Sequence, residues 1–194
     1  PIIQDYSCLI KKGDYIGISG RSGSGKSTLV NLLIGFETPE SGIIQVDNKN
    51  INNNILGWYK NFGYVHQSNF FLNETIEKNI TLNDEIPSNY DKQRIEKILY
   101  NLNLEKFILN SANQNIGERG SKLSEGERQR LALARVLFKD ISILILDEAT
   151  SNLDKINENL ILKQIKKMNE DGLTLIHISH DESALVNANK YIKI

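Results

Sequence analysis

The run Gly20-Arg21-Ser22-Gly23-Ser24-Gly25-Lys26-Ser27 has the residue types and spacing of a loop built to hold phosphate. Glycines let the backbone adopt positive φ and turn successive N–H groups toward an anion. Lys26 supplies a compact charge for the β- and γ-phosphates of a nucleoside triphosphate, and the Ser27 hydroxyl is a ligand for Mg2+. A helix that follows at once, with Thr28 in its first turn, adds the partial positive charge of its N-terminus. Average residue usage gives this pattern by accident in roughly one chain of this length in a hundred. An apolar strand before it and an amphipathic helix after it make accident rarer still.

A second constellation closes an apolar run, Ile143-Leu144-Ile145-Leu146-Asp147-Glu148. A strand ending in two carboxylates sets them at the carboxyl edge of a sheet, where open α/β folds bind ligands. There Asp147 can hold the Mg2+ shell, and Glu148 can take a proton from an attacking water. Alone this signal is weak, because many such strand ends are merely solvated. Beside a phosphate loop it is strong.

These residues need a scaffold, and the hydrophobic pattern predicts one. Short apolar runs at 15–19, 62–65, 143–146 and 173–178 read as strands of a parallel sheet covered on both faces. Helical patterns fall between them at about 26–34, 92–102, 124–137 and 156–168. Strands alternating with helices predict an α/β fold, a P-loop NTPase core with a parallel sheet. Thr38 to Gly42 is a turn signal, and 43–46 reads as a strand of a small antiparallel edge. The Asn-rich run 48–54 reads as a polar loop, and 70–137 as an inserted, mostly helical subdomain of a single domain.

Bulk properties restrict the rest. The net charge of −1 gives no reason to expect nucleic acid or an anionic membrane as partner. A single cysteine, Cys8, excludes an internal disulfide and reads as a small buried residue. No apolar run approaches the ~18 residues that cross a bilayer. The chain begins at Pro1 and stops at Ile194 inside a strand-like run, which reads as a piece cut from something longer.

Further segments stand in order after the phosphate loop: Tyr64-Val65-His66-Gln67, Leu123-Ser124-Glu125-Gly126-Glu127, Asp147-Glu148-Ala149-Thr150-Ser151, Ser151-Asn152-Leu153-Asp154 and Ile178-Ser179-His180. Singly they are bland. Gln67 alone is a polar strand end, His180 a loop histidine, and Ser124 a helix cap whose box Glu127 completes. As an ordered set the chain resembles the nucleotide-binding domain of ABC transporters over nearly its whole length.

The resemblance implies ATP as ligand, Mg2+ as cofactor, and an ATPase coupled to transport at the cytoplasmic face of the cell membrane. It implies that Gln67 reaches Mg2+ and the attacking water, that His180 meets the γ-phosphate, and that Asp154 lies near a mate's site. Ser124 and Gly126 would bind the γ-phosphate of ATP held by a second copy, so two copies would close head to tail. Gly117-Glu118-Arg119-Gly120 resembles the segment with which exporter-type members touch their transmembrane domains. An importer-type subunit and a soluble ATPase acting on ribosomes or DNA remain as alternatives. The chain departs from the family at Glu125 and Glu127, where Gly and Gln are most common. The family's adenine-stacking aromatic lies upstream of the chain's start, and Tyr6 and Tyr15 read as strand residues.

Overall fold

The computed structural model describes residues 3–21, 23–83, 88–110, 113–150 and 153–194. In chain order the elements are β1 (Tyr15–Ser19), α1 (Lys26–Ile34), β2 (Gln45–Val46), β3 (Lys49–Asn50), α2 (Ile55–Tyr59) and β4 (Phe62–His66). After them come α3 (Ile76–Thr81), α4 (Asn89–Asn101), α5 (Glu125–Leu137), β5 (Ile143–Asp147), α6 (Lys155–Glu170), β6 (Thr174–Ile178) and β7 (Lys190–Lys193).

Five strands form one sheet in the order β4-β5-β6-β1-β7, and every pairing in it is parallel. On one face Ile16, Ile18, Ile145, Ile176 and Ile178 pack against Leu29, Val30 and Ile34 of α1. On the other, Tyr15, Val65, Leu144, Leu146 and Leu175 meet the buried residues of α3 to α6. Burial on both faces is why these strands read as continuous apolar runs. Between β4 and β5 no strand of either sheet occurs among the described residues.

The register matters most for function. His66 stands opposite Asp147, Asp147 opposite Ile178, and Ile178 opposite Ile18. Four strand ends therefore stop level along one edge of the sheet. The residues that follow them, Gln67, Glu148, Ser179 and the Gly20 loop, emerge side by side.

The structure corrects three expectations. The run 48–54 is not a plain loop: Lys49 and Asn50 pair antiparallel with Gln45 and Val46, and Ile51–Asn54 form a 3-10 turn with Ile51 buried. Asp47 and Asn48, at φ 50° and 63°, make the hairpin turn that requires positive φ at both central residues. Asn54 then accepts from the Gly57 N–H and starts α2, which docks on the end of α1 through Trp58 Nε1 to Leu33 O (3.0 Å) and Tyr59 Oη to Gly35 O (3.2 Å). Cys8 is exposed, because it lies in the strandless segment before β1. Tyr6, in that segment, is 43% exposed and outside any strand, whereas Tyr15 is a buried β1 residue.

The core holds a buried histidine. His177 on β6 is fully buried, with Nδ1 3.0 Å from the Tyr15 hydroxyl and no partner for Nε2. Burial pulls its pKa down to about 4, so the folded chain keeps it neutral where an unfolded chain protonates it. Stability from this residue is present above about pH 6.5 and is lost as pH falls toward 4, amounting to about 2 kcal/mol between pH 7 and 5. Urea unfolding of the protein and of His177→Gln at both pH values tests this. The variant should lose less stability by that amount, and equal losses would remove His177 from the acid response.

Candidate functional site

The loop between β1 and α1 is shaped by its glycines. Gly23 and Gly25 sit at φ 77° and 105°, a region other residues enter at a cost, and Gly25 is the N-cap of α1. The first helical bond runs from Leu29 N to Gly25 O, so the N–H groups of Lys26, Ser27 and Thr28 have no place in the helical ladder. Lys26 is buried, and its Nζ donates to Gly20 O and Arg21 O, each at 2.9 Å. Gly20 is hemmed in from outside: a Cβ there would run into the Ile194 carbonyl and the Ser24 hydroxyl. The Ser24 Oγ is buried without a hydrogen-bond partner, an orphaned polar atom inside the loop. Ser22 lies outside the described residues.

Across from this loop, β5 delivers its carboxylates. Asp147 is buried, and its Oδ2 accepts from the Tyr64 hydroxyl at 2.6 Å, with His66 Nε2 at 3.9 Å. Burial and the adjoining Asp147 both push the Tyr64 phenol pKa well up, so the tyrosine remains the donor of that bond. Glu148 has φ 50°, left-handed backbone for a non-glycine residue, which costs about 1–3 kcal/mol and is typical of functional sites. Its N–H bonds Ile178 O at 3.0 Å, and its Oε1 lies 3.5 Å from His180 Nδ1.

Between the two sides is a cavity of about 330 Å³. Gly23, Gly25 and Lys26 to Thr28 line it from the loop and α1, His66 and Gln67 from the end of β4, and Asp147 and Glu148 from β5. Gly20 and Arg21, in the same loop, do not line it. His180, 63% exposed at its side chain, is tied to the cavity through Glu148. The hydroxyl of Ser27, the amide of Gln67 and the carboxylate of Asp147 offer an all-oxygen donor set, which fits Mg2+.

Ser124 and Gly126 do not line this cavity. They open α5, where Ser124 Oγ accepts from Glu127 N (3.3 Å) and Ser124 N donates to Glu127 Oε2 (2.8 Å), a complete capping box. Although burial works against it, Lys106 and the Ser124 N–H hold the Glu127 carboxyl below its usual range. Glu125 pairs with Arg128. Gly126 is packed close: a Cβ there would stand 3.1 Å from Asn157 Cγ. Asn157 in turn accepts from Arg130 and donates to Asp154 Oδ2 (2.6 Å), while Asp154 caps α6. Gly117 and Arg119 take φ 79° and 50° in a 3-10 turn that exposes Glu118 and Arg119. Ser151 and Asn152 lie outside the described residues.

Motif reading missed the ties from α5 to the chain after β4. Gln129 Nε2 donates to Gln67 O at 2.7 Å, and Arg135 donates to Phe70 O and Asn79 O, both at 2.8 Å. No local signal announces contacts between residues 56 to 65 positions apart.

The model of the ABC transporter family matches residues 3–151. The chain belongs to that family. Membership makes it a nucleotide-binding chain, as the motifs imply. Over its full length it is 36% identical to a Haemophilus influenzae protein named as an ABC transporter ATP-binding/permease protein, and 38% identical to a Staphylococcus aureus protein named as a multidrug export ATP-binding/permease protein. It spans about a third of the length of these relatives, 35% and 34%. Among solved structures, a bacterial Atm1-family ABC exporter with ATP bound is similar at TM-score 0.81 and 32% identity, over 94% of this chain and 32% of the other. No helix among the described residues is long and apolar enough to cross a membrane.

Proposed function

We propose that this ABC chain binds ATP with Mg2+ and hydrolyses it to power export through membrane-spanning domains. One observation carries the reading: Lys26, Ser27, Gln67, Asp147 and Glu148, drawn from three strand ends, converge on a single cavity. The loop and the first turn of α1 hold the phosphates, with Lys26 charge-pairing the β- and γ-phosphates. Ser27, Gln67 and Asp147 hold Mg2+, which when bound neutralises charge developing on the transferred phosphoryl group. Glu148 takes a proton from the water that attacks the γ-phosphorus in line, and His180, 3.5 Å from Glu148, meets the γ-phosphate at the rim.

Ser124 and Gly126 lie outside their own chain's cavity, which supports their service to the ATP of a second copy closed head to tail. The turn at Gly117, Glu118, Arg119 and Gly120, which exposes Glu118 and Arg119, is the contact for the membrane domains, at the cytoplasmic face of the membrane. The names of the relatives support export, and in those proteins ATP-binding and permease parts share one polypeptide.

Ser124→Asp tests the shared site. Aspartate is as good a helix cap as serine, so α5 should stay folded. Its charge, however, would face the partner's triphosphate. Labelled ATP should bind each copy as before, while in the hydrolysis-blocked Glu148→Gln background sizing chromatography should show no ATP-dependent dimer. A variant that dimerises with ATP like its parent would sink the head-to-tail arrangement.

A further inference from the structure

We propose that Tyr64 is a positioning residue for the Mg2+ site: its hydroxyl occupies one oxygen of Asp147, leaving the other as a single ligand toward the cavity. The inference rests on the reading of Asp147 as the Mg2+ carboxylate.

The geometry comes from the sheet. Tyr64 pairs in register with Ile145, so its side chain rises from β4 beside the end of β5, and its Oη lies 2.6 Å from Asp147 Oδ2. His66 emerges two residues on, its ring stacked toward Tyr64 with centroids 6.2 Å apart, and its Nε2 is 3.9 Å from the same Oδ2. Both neighbours thus crowd one carboxylate oxygen. Asp147 is itself buried on an interior strand, so its backbone cannot shift to offer both oxygens.

A carboxylate with one oxygen committed binds a metal through the other alone. That suits Mg2+, which demands compact octahedral geometry, and disfavours Ca2+, which readily takes carboxylates through both oxygens. Tyr64 therefore acts on affinity and on choice of cation. Hydrogen-bond partners of metal ligands commonly matter by about 10- to 100-fold in metal affinity.

The test is Tyr64→Phe in the intact protein, which keeps the ring and deletes the hydroxyl. Binding of a fluorescent ATP analogue is titrated against Mg2+ and against Ca2+, with Mn2+ binding read directly by electron paramagnetic resonance. The half-saturating Mg2+ concentration should rise about ten-fold, the preference for Mg2+ over Ca2+ should narrow, and metal-free nucleotide binding should stay unchanged. Unaltered metal titrations would overturn the proposal. So would equal weakening of nucleotide binding with and without metal, which would make Tyr64 a packing residue. Asp147→Asn, run in parallel, separates the two readings. If it weakens Mg2+ binding and Tyr64→Phe does not, only the role of Tyr64 falls. If Asp147→Asn itself leaves Mg2+ binding intact, the assignment of the metal carboxylate fails.

Discussion

Replacing Glu148 by glutamine is expected to leave ATP binding intact and slow hydrolysis at least ~10²-fold, the scale for losing a general base. Glutamine has the same shape, so the left-handed turn at φ 50° and the bond from the backbone N–H to Ile178 O should persist. What disappears is the ability to accept a proton from water. The strained backbone is informative here: a cost of about 1–3 kcal/mol is maintained to aim this side chain off the end of β5 and into the cavity. The His180 ring 3.5 Å away cannot replace the lost carboxylate, because it lies on the exposed rim. With hydrolysis blocked, the variant should also accumulate as an ATP-dependent dimer. Phosphate release and sizing chromatography with and without ATP measure both effects. Near-normal phosphate release would remove Glu148 from the mechanism.

The sequence made legible those parts of the fold that rest on local pattern. β1 and α1 fall where apolar runs and the glycine loop predict them, and Asp147 ends a strand because four aliphatic residues, three of them buried, precede it. The capping box at Ser124 and Glu127 was readable because it is a fixed four-residue device. Its neighbour was not. Glu125 reads only as a departure from the family pattern, yet Arg128 one turn along the helix pairs with it. Cys8 and Tyr6 deceived for a related reason: residue type alone predicts burial or strand, but neither holds in a segment without sheet partners. The hydroxyl of Tyr64 on Asp147 and the amide of Gln129 on Gln67 link residues 83 and 62 positions apart. Only the assembled sheet and α5 create them.

Deletion of the Lys26 charge should do the most damage to the ground state. In the structure its Nζ is held at 2.9 Å by the carbonyls of Gly20 and Arg21, so the ammonium is fixed within the loop that the phosphates would enter. At about 4 Å and an effective dielectric near 20, one unit-charge pair is worth about 4 kcal/mol. Competition from the two carbonyls reduces that, and a net loss of about 3 kcal/mol corresponds to roughly 100-fold weaker binding. Lys26→Ala is therefore expected to raise the ATP dissociation constant by that factor, measured by equilibrium titration with labelled ATP and Mg2+. Because the same ammonium braces the loop, a collapsed loop could mimic lost phosphate contact. Lys26→Met, which keeps the buried stem, and a parallel titration with adenosine separate the causes. Charge loss weakens ATP in both variants and leaves adenosine binding alone, whereas loop collapse spares Lys26→Met. Parent-like ATP affinity in Lys26→Ala would dismantle the assignment of Gly20 to Ser27 as the phosphate loop.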